Sequence, residues 1–524
     1  MKQLLVLLVL VGCNQSDQSK PTIILTEIES EIAPTTCGNE DPQQIIEVNG
    51  TGLALLDFDN DDDLDLFVVN ASEEPCRLYE NISDGSIVFK DVTEDIGINI
   101  QDKMWCNGVA VGDVNGDGFD DLYITRHGPN VLLINNEGTS FKDATKESGV
   151  GDTHWGTSAR FGDLDGDEDL DLYVCNYLEF DFDAPPQMAK YKGQSVLGGP
   201  HGMTPQKDVV YENIGGGIFK EVTEQWGFSN ETAFSLNAAI LDFTGDGLQD
   251  VFVGNDSMSN LLFVNTGETP IRFKNIGLKT GVSANGDGAM QATMGIAIAD
   301  VNGNSRPDIF TTNFSSDTNT LHINDASGFF DDRTNKYGLG LVSRTLLGWT
   351  CGFHDFDLDG DEDLFVVNGH VYPNATMGTM DSSRNQPVLL LERMGSRFER
   401  LKLPGEYRDR AAVFGDLDND GDTDVVVAQR NGEIRMLRND SLHDQPLTIE
   451  LYGQCLGAKL EILYRDGSKS TRWITDGFGF QSSSSTQKQL FAKAISSIEV
   501  TWPDGAKQTV QKVPMDGLVI IKQQ

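Results

Sequence analysis

Along the chain, apolar and polar positions repeat one unit seven times: an apolar run, an Asp-rich loop, a second apolar run and Asn-Gly punctuation. The loops read DFDNDDDLDL from Asp57, DVNGDGFDDL from Asp113, DLDGDEDLDL from Asp163 and DFTGDGLQDV from Asp242. They continue as DVNGNSRPDI from Asp300, DFDLDGDEDL from Asp355 and DLDNDGDTDV from Asp416, with starts 56, 50, 79, 58, 55 and 61 residues apart. Runs such as Leu66-Phe67-Val68-Val69 are β-branched and aromatic and predict strands. A further strand such as Leu78 to Asn81 and an outer one such as Phe89 to Thr93 follow; the outer element recurs from Gly138, Gly215 and Gly328. Four strands in a unit of roughly 50 residues are the signature of a propeller blade. The final unit, Ala411 to Asn439, lacks an outer strand, and Ile23 to Pro34 echoes Phe89 to Ile98. The N-terminal strand is therefore predicted to complete the last blade and close the ring, leaving no exposed edge. The expected fold is all-β: a seven-bladed β-propeller over residues 22–440 with calcium-binding loops in its blades, and a small C-terminal β-domain over 441–524.

The loops carry the chemistry. Calcium takes six to eight oxygen ligands, and side chains at positions 1, 3, 5 and 9 of a tight loop can converge on one point, joined by the carbonyl of position 7. Those positions are Asp57, Asp59, Asp61 and Asp65; Asp113, Asn115, Asp117 and Asp121; Asp163, Asp165, Asp167 and Asp171; and Asp242, Thr244, Asp246 and Asp250. The last three sets are Asp300, Asn302, Asn304 and Asp308; Asp355, Asp357, Asp359 and Asp363; and Asp416, Asp418, Asp420 and Asp424. Up to seven calcium ions are expected. An EF-hand is excluded because position 12 is Val68, Ile124, Val174, Val253, Thr311, Val366 and Val427, within strands, where that motif needs Glu on a helix. Aspartates that only cap turns would leave three or four carboxylates crowded without a counter-ion. The fifth loop has two carboxylates and Pro307, so it is expected to bind calcium more weakly than the loop at Asp355.

The formal net charge of −42 over 524 residues argues against a nucleic-acid partner, since phosphate would be repelled. At the N-terminus Lys2 and the apolar run Leu4 to Val11 suit an export signal over residues 1–12. Leu10-Val11-Gly12-Cys13 resembles the lipobox of bacterial lipoproteins, which implies lipidation of Cys13, a polar tether over 13–21 and an outer-membrane or cell-surface location. An ordinary secretory signal is the alternative. The lipid would be the only membrane contact. Six further cysteines are Cys37, Cys76, Cys106, Cys175, Cys351 and Cys455; Cys76 with Cys106 is one candidate pair, and buried free thiols are the other reading.

The units VAVGDVNGDG at Val109, ARFGDLDGD at Ala159 and AVFGDLDNDGD at Ala412 resemble FG-GAP/VCBS repeats, as in integrin α-subunit propellers. LGAKLEI at Leu456, TDGFGFQSSSS from Thr475 and TWPDG from Thr501 are similar to the ASPIC/UnbV module. The combination resembles bacterial relatives of cartilage acidic protein. It implies calcium binding and extracellular interaction or adhesion; Asp62 in place of a glycine and the depleted fifth loop depart from the pattern.

Residues entering the inner strands and leaving the second strands should gather on the face opposite the metal loops. Trp105, His127, Trp155, Tyr177, His201, Trp349 and His370 are the candidates there for a protein or glycan partner; packing of the tryptophans between blades is the competing reading. An insertion from Leu178 to Val209 is expected to rise on that face as a lid or contact loop. No catalytic set is legible: GxSxG and HExxH are absent, and with seven histidines a convergence of His154, His201 and His370 has no motif behind it. The expected function is calcium-stabilised extracellular or cell-surface binding, not catalysis. The alternative is a polysaccharide lyase or hydrolase-like propeller enzyme with structural calcium.

Overall fold

The computed structural model describes residues 23–71, 74–98, 100, 105–441, 446–477, 479–484 and 487–523. Cys13, the signal segment and the tether lie outside them. Among the described residues, seven antiparallel four-stranded units run in chain order, the first of them extended by a fifth strand in parallel. Their inner strands are Leu53–Leu56, Cys106–Gly112, Gly156–Gly162, Ser235–Leu241, Ile296–Ala299, Gly348–His354 and Asp409–Gly415. Each inner strand contacts the next, and the seventh contacts the first, so the ring is closed. The inner strand of blade two is buried at every residue because both of its faces meet neighbouring blades. That is why its sequence, apart from the buried Asn107, is apolar or small without alternation.

The hydrophobic core is accordingly divided into wedges. One joins Val68 and Tyr79 of blade one to Val413 and Met436 of blade seven. Another joins Leu78 of blade one to Leu122 and Leu133 of blade two. Leu25–Ile28 pairs with Ile434–Asn439, Leu25 opposite Asn439 and Ile28 opposite Met436, and so supplies the missing outer strand of blade seven.

The C-terminal module has two sheets. Leu447–Tyr452 lies between Lys488–Phe491 and Gly517–Lys522, and the other sheet runs Lys469–Trp473, Lys459–Tyr464, Ile495–Thr501, Lys507–Gln511. Between them, residues 475–477 and 479–484 leave the module and enter the ring. Ser483–Ser484 pairs in parallel with Ala54 and Leu55 of the inner strand of blade one. Phe480 is fully buried with its ring 5.0 Å from that of Trp349. Arg160, on the inner strand of blade three, donates to Ser482 O at 2.8 Å, Gly479 O at 2.6 Å, Asp476 Oδ2 at 3.2 Å and Asn237 Oδ1 at 2.8 Å. The described residues of the motif, 475–477 and 479–484, are thus an axial plug as well as part of a β-domain, which the sequence pattern does not predict.

At the other end of the axis Ile45, Ile46 and Val48 pack with Trp155, Tyr177, Leu178 and Leu197. The insertion carries a hairpin, Ala189–Tyr191 and Gln194–Val196. Lys192 at its tip donates to Ser316 Oγ at 2.6 Å and to Met380 O at 2.8 Å, so a segment that begins in blade three is fastened over blades five and six.

Candidate metal loops

All seven loops share one backbone. Position 4 is left-handed throughout, at Asn60, Gly116, Gly166, Gly245, Gly303, Leu358 and Asn419, with φ from 54° to 80°. Position 6 is left-handed as well, from Ser305 at 61° to Gly360 at 99°. Gly fits there without cost, whereas Asp62 and Glu168, both at 74°, hold the same turn against their Cβ atoms. The position-1 aspartate fixes this turn by accepting the backbone N–H of position 6, at 3.0 Å for Asp57, 2.8 Å for Asp113 and 2.9 Å for Asp416.

The position-9 aspartates tie the loop to the sheet. Oδ2 of Asp121 accepts the N–H of Val114 at 3.1 Å, and its Oδ1 accepts that of Asn135, at the end of the third strand, at 2.8 Å. The same pair of bonds recurs at Asp65 and Asp424. The third-strand asparagine then reaches the preceding blade. Asn135 Nδ2 donates to Phe58 O at 2.8 Å, Asn213 to Val114 O at 2.8 Å, Asn265 to Leu164 O at 3.0 Å and Asn324 to Phe243 O at 3.0 Å. Asn439 to Phe356 O and Asn81 to Leu417 O carry the series across the closure, and in blade six Arg393 donates to Val301 O in place of an asparagine. The sequence reading noted the asparagines as punctuation; their role in joining blades was missed, although their recurrence at the end of the third strand was the available signal.

Carboxylate oxygens lie within 4.8 Å of one another in four groups: Asp57, Asp59 and Asp61; Asp163, Asp165 and Asp171; Asp355, Asp357 and Asp359; Asp416, Asp418 and Asp424. Oδ1 of Asp59, Asp355, Asp416 and Asp418 is buried without a hydrogen-bond partner. Burial, with neighbouring carboxylates adding to it, pushes Asp57 up to about 6, Asp416 to about 7 and Asp355 to about 8. Burial likewise raises Asp65, Asp121, Asp308 and Asp424 to about 8. Crowded oxygen-only donors with unused buried lone pairs fit a hard divalent cation such as calcium.

In the second loop Asn115 donates its amide to Asp117 Oδ2 at 2.9 Å, and the fourth has Thr244 at position 3. In the fifth, Asn304 donates its amide to Asn324 O at 2.7 Å, and Arg306 crosses to Thr244 O at 2.7 Å. Above the loops stands the C-terminal module. Lys488 Nζ donates to Asp62 O at 2.7 Å, and Thr471 Oγ1 lies 3.0 Å from Ser305 Oγ. Arg472 Nη2 reaches Asp355 Oδ2 at 3.0 Å. A cavity of about 1160 Å³ remains between module and ring, lined in part by Asp57, Asp113, Asp117, Asp416 and Glu450.

The candidates of the opposite face divide by burial. Trp155, Tyr177, Trp349 and His370 are 1–2% exposed and pack inside, so they offer no surface as they stand. The segments 33–50 and 178–208 cover what the strand pattern alone would leave open. Trp105 and His127 are half-buried, stacked on or edge-on to Phe182, and His201 is exposed. His370 Nδ1 accepts the Tyr372 N–H at 3.1 Å, so its proton sits on Nε2 and is donated to Ser315 Oγ at 3.0 Å. That tautomer cannot take a proton from the serine, and burial pulls the ring down to about 3. His154 is held by Asp152, Nδ1 to Oδ1 2.5 Å, which raises its pKa. All six described cysteines are buried free thiols; Cys76 and Cys106 are hydrogen-bonded to each other and share the wedge between blades one and two.

Residues 57–124, 113–174 and 242–311 match the FG-GAP-like repeat family, and 453–524 match ASPIC and UnbV. Cartilage acidic protein 1 of Xenopus tropicalis is 23% identical over 492 residues, spanning 87% of this chain and 70% of the relative. The Homo sapiens protein of that name is 22% identical over 490 residues, spanning 87% and 69%. A solved chain described as BBS1N in complex with ARL6DN, soaked with mercury, overlays on 79% of this chain and 97% of its own, at 10% identity and a TM-score of 0.43. The chain is thus a β-propeller carrying FG-GAP-like repeats, followed by an ASPIC and UnbV domain, with weak similarity to cartilage acidic protein.

Proposed function

We propose that the chain is a calcium-stabilised extracellular or cell-surface binding or adhesion protein that recognises a protein or glycan through the face opposite the metal loops. FG-GAP-like repeats together with an ASPIC and UnbV domain point to extracellular-type binding or adhesion. The observation that carries the choice of face is the position of the C-terminal module over the loops, which leaves the far face, with its covering segments 33–50 and 178–208, as the one the module does not occupy. On that face the insertion exposes Phe182, stacked on Trp105, an apolar and aromatic surface of the kind that anchors partners, and it exposes Met188 as well. Attachment through a lipid on Cys13 belongs to the same reading; among the described residues no helix is long and apolar enough to cross a membrane.

Calcium acts here as scaffold. It would be held by the aspartates at odd loop positions, neutralising carboxylates that the fold brings together. Catalysis is not part of the proposal, because the Ser315–His370 pair has its proton on the wrong nitrogen for a base. A screen of the mature chain against glycans and surface proteins, with calcium and with chelator, tests this. Binding that needs calcium, and that Trp105→Ala and Phe182→Ala abolish without lowering the Tm, is expected. Binding that survives both substitutions would move the site off this face.

A further inference from the structure

Loops six and seven carry the same aspartates at positions 1, 3, 5, 7 and 9: Asp355, Asp357, Asp359, Asp361 and Asp363 in one, Asp416, Asp418, Asp420, Asp422 and Asp424 in the other. They differ in what the C-terminal module sets against them. Among the described residues, at loop seven it is an apolar one, Pro446, which leaves no room for a Cβ on Gly421. At loop six it is the guanidinium of Arg472, from strand Lys469–Trp473. Arg472 Nη2 lies 3.0 Å from Asp355 Oδ2, and its Nε is 3.8 Å from Oε1 of Glu362, the position-8 residue. Arg472 is 8% exposed and Asp355 3%, so water screens the pair poorly. The guanidinium is held from behind by the Phe491 ring, 4.6 Å from its centre, so it belongs rigidly to the module. Asp355 Oδ2 also accepts the Gly360 N–H at 3.1 Å, while Oδ1 stays buried with no partner. Among the described residues, none of the other six position-1 aspartates is ion-paired.

We propose that Arg472 is the resident cation of loop six, so that calcium at this loop and docking of the C-terminal module oppose one another, and loop six is the calcium-responsive contact between module and ring. The inference rests on the calcium reading above. A calcium ion bound through Asp355 would sit beside a fixed positive charge in a poorly solvated place. Each cation weakens the hold of the other, and the coupling is reciprocal: filling the loop loosens the strand that carries Arg472. Loop six should then be weaker than loop seven despite identical aspartates.

Calcium titration calorimetry on the full mature chain, comparing Arg472→Gln and Arg472→Lys with the unaltered protein, tests this. Arg472→Gln should tighten one site by about tenfold or more, from the loss of a unit charge near a divalent ion, and leave the others unchanged; Arg472→Lys, which keeps the charge, should stay near the parent. Hydrogen exchange on the unaltered chain adds a second readout: amides of 469–473 should exchange faster once calcium fills the site that Arg472→Gln tightens. The proposal is overturned if Arg472→Gln leaves every site unchanged, or if calcium slows exchange at 469–473. Should the unaltered chain bind no calcium at all, the calcium reading falls and this falls with it. Should calcium bind with Arg472 indifferent, this inference alone falls.

Discussion

At the position-9 aspartate a single carboxylate has a structural task beside the ligand role expected of it. Asp121 was expected as a metal ligand, yet each of its oxygens already accepts a backbone N–H, one from its own loop and one from the third strand. A lone pair on each oxygen remains for a cation, but the residue would be needed without one. Asp121→Asn turns one acceptor into a donor facing an N–H. We expect it to lower unfolding stability by about 1–3 kcal/mol, the cost of a buried group left unsatisfied. Urea denaturation in EDTA measures it; a loss seen only with calcium present would reduce the aspartate to a ligand. Asp59→Asn is the contrast. Asp59 Oδ1 has no partner, so in EDTA this change should be neutral or stabilising, and it should weaken calcium binding.

Among the elements, legibility followed locality. The turn of each loop is written in ten consecutive residues, so the odd-position aspartates could be read directly, and the strands around them follow from β-branched runs. The closing strand was legible because Leu25–Ile28 resembles an outer strand and blade seven visibly lacked one. What stayed hidden depends on distant partners. Residues 475–484 are mostly Gly, Ser and Phe without period, and only the presence of Arg160 and the inner strands turns the described ones among them into a plug. The aromatic residues at strand ends looked exposed for the same reason: Ile45, Ile46 and Val48, which bury Trp155 and Tyr177, lie more than a hundred residues earlier in the chain. Two element-scale outcomes follow. Removing residues 23–30 should unzip blade seven and abolish a single cooperative melt, as read by circular dichroism. Phe480→Ala should cost about 3–5 kcal/mol, the usual range for truncating a buried aromatic, and should destabilise the ring as well as the module, which hydrogen exchange on the inner strands resolves.

For the molecule as a whole, the proposed calcium binding would make stability a joint function of pH and calcium. Asp57 is raised to about 6, Asp165 and Asp416 to about 7, and Asp355, Asp65 and Asp424 to about 8, each mainly by burial. In the unfolded chain these groups titrate near the ordinary aspartate value of about 3.9. Between that value and about 8 the folded, metal-free protein therefore holds more protons than the unfolded one. Stability then falls as pH rises, because the unfolded state gains by losing protons that the fold retains. The contribution is full below about pH 4 and is lost progressively as pH climbs through 6 to 8. This is the opposite of the usual acid denaturation by paired carboxylates. Calcium should invert it: a bound cation favours the ionised form, depresses these pKa values, and gives stability that is lost as protons displace the metal at low pH. In EDTA the Tm should drop from pH 5 to pH 8, and in saturating calcium it should be flat or rise over the same interval. Parallel Tm curves with and without calcium across that range would mean the raised carboxylates are not the groups that calcium neutralises.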